Sequence, residues 1–314
     1  AGMRFRVGIL GFAGSASVLM GACGLEQGGP TEAVPAEAGV DAPLDALQVD
    51  ADAGAIDASS DADVDAPLTY PTPDQLGGLQ VWFRGDKAVE TSTVDAGDAG
   101  AEITTWKDSS SIGDPNRDAK AKPGTGPTFV ASNSQYAGKA TVHLENTQYL
   151  QTGTFSVPLA QPATMLVVGN ASVGGFTTRY FVDSLKYTGS FALYAAGSGN
   201  VGVAVNSLQG SAGIESQLVS DAVTSPSIVI GIFNGSTSAF YVSSNTPSKL
   251  ANVGGNSATG FTIGNWSGAT LSGGDVYAIK GDIAEIAAWN RVLTPAEIKL
   301  LNGYASLRYG ITTK

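Results

Sequence analysis

Cysteine and histidine are almost missing, with one of each, Cys23 and His143, in 314 residues. A single thiol excludes any intramolecular disulfide, and one His and one Cys so far apart give zinc too few ligands. Serine-nucleophile chemistry would need His143 as its base, but Val142 and Leu144 place that residue in a strand, as a satisfied structural imidazole. Basic residues are scarce as well. The 17 Lys and Arg face 28 Asp and Glu for a net charge of −11, and no basic stripe is present to meet nucleic acid.

Glycine is abundant, at 41 residues, Ser and Thr are frequent, and only 14% of residues are charged. That composition suits a β-protein with many tight turns. The acidity is unevenly placed. Gly24 to Gln75 holds twelve acidic residues and no basic one, whereas Leu76 to Lys314 is close to neutral. The acidic stretch is built mainly of Ala, Asp, Gly, Pro and Val and has no aromatic residue before Tyr70. It cannot bury enough apolar surface to offset its ordering entropy, so residues 24–75 read as a disordered, extended tether. Asp61, Asp63 and Asp65 match the first ligands of a calcium loop, but the Gly at the sixth place and the Glu at the twelfth are missing, which leaves a solvated charge run.

Ahead of the tether, Met3, Arg4 and Arg6 precede an apolar run from Val7 to Met20. This is the layout of a signal peptide, and the run is shorter than the ~20 residues that span a bilayer. Its end, Leu19-Met-Gly-Ala-Cys23, resembles the lipobox of bacterial lipoproteins, with Met20 where that family usually has Leu. The resemblance implies that residues 1–23 are a signal peptide, that Cys23 is lipidated, and that the protein is exported and lipid-anchored to the bacterial cell envelope, at the outer membrane or cell surface. Membrane contact would be through that anchor only. The alternative is an ordinary signal peptide with an incidental thiol.

From Leu76 onward, short apolar runs alternate with Gly, Asn, Ser and Pro clusters. The clearest are Leu79 to Arg84, Ile103 to Trp106, Ala140 to Leu144, Ala163 to Val168, Arg179 to Val182, Phe191 to Tyr194, Ser227 to Ile232, Ala239 to Val242, Phe261 to Gly264 and Gly281 to Trp289. Ten or more strands predict an all-β, two-sheet sandwich over 76–314. One short C-terminal helix is expected. Thr294 caps it, Pro295 opens its first turn, Glu297 completes a capping box, and Leu293 and Ile298 form a hydrophobic staple. Ile298, Leu301, Tyr304 and Leu307 are its expected buried face.

Two stretches carry a family resemblance. Leu79-Gln-Val-Trp-Phe-Arg-Gly-Asp86, with Trp106-Lys-Asp108-Ser-Ser, Asp118-Ala119 and Pro127, resembles the opening of concanavalin A-like lectin/glucanase (laminin-G-like) jelly-roll domains. Gly281-Asp-Ile-Ala-Glu-Ile-Ala-Ala-Trp-Asn-Arg-Val-Leu-Thr-Pro-Ala-Glu297, running on to Tyr309-Gly-Ile311, is similar to that family's closing strand and helix. The resemblance implies a concanavalin A-like jelly-roll but does not choose among lectin, glycosidase, lyase and adhesive roles. The family's turn after Trp-x-Asp is lengthened here to Ser109-Ser-Ser-Ile-Gly-Asp-Pro-Asn116.

Glycosidases of that superfamily carry Glu-x-Asp-x-x-Glu on one strand. Here the corresponding stretch is Lys280-Gly-Asp282-Ile-Ala-Glu285, so the nucleophile's place is taken by lysine. Asp282 and Glu285 fall on opposite faces of a regular strand unless a bulge intervenes, and both read as structural. Sugar binding needs only an exposed aromatic face and a few polar groups. Trp82, Trp106 and Trp289 lie in strand runs, but Trp266 sits in the polar loop Gly264-Asn-Trp-Ser-Gly-Ala-Thr270, which makes Asn265 and Trp266 the candidate ligand contacts. A structural calcium ion, known in such jelly-rolls, would find oxygen ligands in Asp108, Asp114 and Asn116, which a plain Asx-turn loop explains equally well. The reading is therefore a surface-anchored, non-catalytic module that binds a polysaccharide or a cell-surface protein. A ligand-free structural component of a surface layer is the alternative, and a hydrolase or lyase comes last.

Overall fold

The computed structural model describes residues 69–87, 89–92, 100–122, 124–145, 147–172, 178–185, 190–196, 200–206, 223–249, 255–267 and 277–314. Cys23, the signal-like run and the acidic stretch up to residue 68 lie outside the described residues.

Two antiparallel sheets form a sandwich, as expected of the jelly-roll class. In chain order the strands are β1 (Leu79–Arg84), β2 (Val89–Thr91), β3 (Ile103–Trp106), β4 (Ala119–Ala121), β5 (Thr128–Asn133), β6 (Lys139–Leu144), β7 (Leu150–Gln151) and β8 (Ala163–Gly169). They continue with β9 (Arg179–Ser184), β10 (Ser190–Ala196), β11 (Asn200–Asn206), β12 (Ser227–Phe233), β13 (Ala239–Val242), β14 (Ser248–Lys249), β15 (Phe261–Ile263) and β16 (Gly281–Trp289), and helix α1 (Pro295–Tyr309) follows. The first sheet runs β14-β13-β12-β8-β16-β6-β5, with β1 also paired to β16, and the second runs β11-β10-β9-β15-β7-β4-β3-β2.

Alternation along the strands sorts their side chains into three layers. Val81, Phe83, Val142, Met165, Val229 and Ile283 of the first sheet meet Ile103, Trp106, Phe181, Phe191 and Phe261 of the second in one buried core. A second apolar cluster lies on the other side of the first sheet, where Trp82, Leu166, Ile230 and Trp289 pack under Ile298, Leu301, Tyr304 and Tyr309 of α1. Because α1 follows directly from β16, the closing strand and its covering helix form one local unit.

The helix starts where the capping signals put it. The Thr294 hydroxyl accepts from the Glu297 amide at 3.3 Å, and the Glu297 carboxylate accepts from the Thr294 amide at 2.8 Å. Arg291 clamps Glu297 through two bonds of 2.6 and 2.9 Å and holds its carboxyl down to about 2. The helix closes on Gly310, whose φ of +67° is the left-handed cap. One element of the expected face fails. Leu307 is 68% exposed, while Ala305 and Tyr309 are buried. Nine residues separate Leu307 from Ile298, and at 3.6 residues per turn that places it half a turn away from the buried side.

The packing also reaches back into the stretch read as tether. Tyr70 lies against the helix cluster. A Cβ on Gly303 would come within 2.2 Å of the Tyr70 ring, so a glycine in mid-helix, costly by about 1 kcal/mol in propensity, makes the space for that contact.

Candidate functional site

The outer face of the second sheet carries an aromatic row. In β10, Phe191, Leu193 and Ala195 point into the inter-sheet core, so Ala192 and Tyr194 face the other way. The register between β9 and β10 shifts near Leu193, which pairs Tyr194 with Tyr180 while Phe181 and Val182 both stay in the core. The Tyr180 and Tyr194 rings lie 5.5 Å apart. The segment at Ala278 bridges Tyr180 in parallel and brings Tyr277 to 6.2 Å from Tyr180. Trp266 in turn meets Tyr277 edge-on at 4.9 Å. The row Trp266, Tyr277, Tyr180, Tyr194 thus crosses the strand direction. Tyr194 is buried and the other three are half-buried.

Hydrogen bonds hold the row in place. Asp183, itself buried, accepts from the Ser267 amide at 3.0 Å and its hydroxyl at 2.9 Å, which ties the Trp266 loop down onto β9. Arg179 donates to the Ala278 carbonyl at 2.8 Å and so secures the segment carrying Tyr277. Burial pushes the Tyr180 phenol up, keeping it neutral at any physiological pH. Rings held against one another in tilted and edge-to-face contacts give a fixed apolar surface that suits hydroxyl-rich ligands. Little ordering entropy remains to be lost on binding.

The sequence-based site is placed differently at its two residues. Trp266 is half-buried and joins the row, but Asn265, expected in an exposed loop, is 2% exposed. Its side-chain oxygen turns back to accept from the Trp266 amide at 2.8 Å. Asn265 therefore shapes the loop rather than lining an open surface. Tyr180, Tyr194 and Tyr277 were missed. For Tyr194 the signal was present, because it is out of phase with Phe191 and Leu193 in an otherwise inward-facing strand.

The oxygen cluster proposed for calcium divides between separate tasks. Asp108 accepts from the Trp82 amide at 2.8 Å and the Ser110 amide at 3.0 Å. Asp114 accepts from the Ser156 amide at 3.0 Å and the Asn116 amide at 3.0 Å, and these two bonds hold its carboxyl below the usual carboxylate range. Arg117, 2% exposed, sits within the field of both carboxylates, with Nε 3.7 Å from Asp114. The positive charge at this loop is that guanidinium. Among the described residues, no three His, Cys, Asp or Glu side chains group as a metal site.

Asp282 and Glu285 do share a face. The register of β16 shifts between Ile283 and Glu285, so that both acids point away from the inter-sheet core. Their surroundings still differ. Asp282 is hydrogen-bonded to His143 Nδ1 at 3.0 Å, whereas Glu285 is fully buried under α1, where Trp82, Tyr304 and Tyr309 all donate to it. A carboxylate sealed in this way cannot meet a glycosidic bond.

No family model matches the chain, and no curated protein matches it. Similar solved structures include domain 4 of the arabinanase AbnA from Geobacillus stearothermophilus in complex with arabinotriose, at 13% identity and a TM-score of 0.46, over 72% of this chain and 98% of that one. The Trypanosoma rangeli sialidase in complex with sialic acid is 13% identical, with a TM-score of 0.42 over 74% of this chain. The CBM40 domain of the Ruminococcus gnavus IT-sialidase is 12% identical, with a TM-score of 0.35 over 46% of this chain and 82% of that one. This chain spans 33% of the T. rangeli sialidase. With each of these TM-scores below 0.5, the fold assignment rests on the strand pairing itself.

Proposed function

We propose that the chain is a non-catalytic carbohydrate-binding module that presents the half-buried rings of Trp266, Tyr277 and Tyr180, backed by the buried Tyr194, to a polysaccharide, and that Cys23 holds it at the bacterial cell surface. The observation that carries the binding reading is the row itself. Aromatic rings outside the inter-sheet core are costly to leave partly wet, and three half-buried rings in mutual contact, 4.9 and 6.2 Å apart, offer an apolar surface for a sugar to stack on. Glu285 is withheld from solvent and Asp282 is committed to His143, which supports binding without turnover.

Trp266 is the ring to remove. On a glycan array of neutral polysaccharides, Trp266→Ala is expected to lose most of the binding of the parent chain. Its stability should fall by only about 1 to 2 kcal/mol, because the ring is half-buried. A variant that binds as the parent does would remove the row from consideration. The anchor is tested separately: Cys23→Ser, expressed with its leader in a Gram-negative host, should leave the membrane fraction. Equal retention of mutant and parent would refute lipidation.

A further inference from the structure

A cleft opens on the side of the sandwich covered by α1. It has a volume of about 390 Å³, within the range of small-molecule sites, and its walls include Thr69, Tyr70, Lys139, Tyr304, Leu307 and Arg308. No carboxylate lines it. The acids bonded to its wall are committed to it, Asp74 among them, which accepts from the Thr72 hydroxyl at 2.5 Å. Asp86 is shared between Arg84, at 2.9 and 3.0 Å, and Arg308, while Glu285 lies sealed behind Tyr304. Lys139 makes no ion pair among the described residues. Within a domain that is close to neutral, the cleft therefore carries the unpaired charge of Lys139 beside an Arg308 already paired to Asp86, with no acid in its walls.

The rest of the lining narrows the ligand. Leu307, 68% exposed, and the ring of Tyr70 form an apolar shoulder, with the Thr69 hydroxyl close by. Arg308 is oriented by its bonds to Asp86 and to the Tyr309 hydroxyl at 3.2 Å. Those bonds use Nε and Nη2 and fix the guanidinium in the wall, which leaves Nη1 as its donor to a ligand carboxylate.

We infer that this cleft binds a ring-sized organic carboxylate, a uronic acid unit, with the acid group between Lys139 and Arg308 and the ring against Leu307 and Tyr70. The site is independent of the aromatic row, so either can fail alone.

The test is calorimetric titration of the full chain with sodium glucuronate, glucose and inorganic phosphate. Glucuronate should bind with an affinity that falls as salt rises, and glucose should not bind. Lys139→Glu should weaken glucuronate by about tenfold or more, the equivalent of one good charge contact, with an unchanged melting temperature. Trp266→Ala should bind glucuronate as the parent does. Equal affinity of parent and Lys139→Glu, binding of glucose as tight as glucuronate, or loss of glucuronate in Trp266→Ala would each overturn the assignment. Phosphate bound as tightly as glucuronate would overturn the ring and leave only a simple anion site.

Discussion

Glu285→Ala should cost the domain about 3 to 5 kcal/mol, because it leaves three buried neutral donors without their shared acceptor. Three donors converge on this carboxylate: Trp82 Nε1 at 2.5 Å, the Tyr309 hydroxyl at 2.6 Å and the Tyr304 hydroxyl at 3.2 Å. Alanine would leave all three inside the protein without an acceptor, each at about 1 to 3 kcal/mol if it found no other partner. Because Trp82 belongs to β1 and both tyrosines to α1, the loss would loosen the helix from the sheet. Urea unfolding of parent and variant measures the difference, and a loss below about 1 kcal/mol would show that the network relaxes around the gap. Burial raises the Glu285 carboxyl while the Tyr309 and Trp82 bonds pull it down, and burial wins. The folded state therefore holds this proton more tightly than the unfolded chain. The resulting stabilisation is complete below the ordinary Glu range and fades as pH rises through the raised value, a trend that Glu285→Gln should abolish.

Trp106→Ala is expected to be as damaging, at about 3 to 5 kcal/mol, through a different mechanism. Trp106 belongs to β3 in the second sheet and is fully buried, with its ring 5.5 Å from Phe83 of β1 in the first. Its Nε1 donates to the Arg84 carbonyl at 2.8 Å, so one side chain both fills the gap between the sheets and pins them together. Alanine would leave a cavity and take away the stronger of two donors to the Arg84 carbonyl, which keeps only the Lys87 amide at 3.2 Å. Trp106→Phe should recover most of the packing but not the hydrogen bond, and should fall between the two. Thermal melts of the three proteins check the order, and an alanine variant that melts with the parent would contradict the interlock.

Much of this was legible in the sequence, for reasons that differ between elements. The strands Ala239–Val242 and Gly281–Trp289 and the helix start at Pro295 coincide with the expectations, because each is marked locally by alternation or by a capping box. Trp82, Trp106 and Trp289 were assigned to the interior on the same grounds, and their exposures are 3, 0 and 0%. The short strands β4 (Ala119–Ala121) and β7 (Leu150–Gln151) were not foreseen. Two or three residues carry no period of their own, and they become strands only because neighbours in the second sheet offer hydrogen bonds to them.

The candidate site shows the same division. Alternation along a strand says which side chains share a face, and an uncommitted Trp in a polar loop says where a ring could stand. That much is local, and it singled out Trp266. It cannot say that Tyr194, Tyr180 and Tyr277, which are 14 and 97 residues apart in turn, line up with that ring. The row exists because a register shift in β9 and a parallel bridge at Ala278 bring three separate segments side by side. A bulge also decided the fate of Glu285. Regular alternation puts it opposite Asp282, whereas one extra residue in β16 turns it under the helix, onto Trp82 and two tyrosines. Period and capping are properties of neighbours in the chain, so the sequence alone determined the all-β class, the near-neutral domain behind an acidic stretch, and the closing helix. Register and bulges depend on what lies across the sheet, so only the tertiary structure decided which aromatics face outward together and which carboxylate is sealed away.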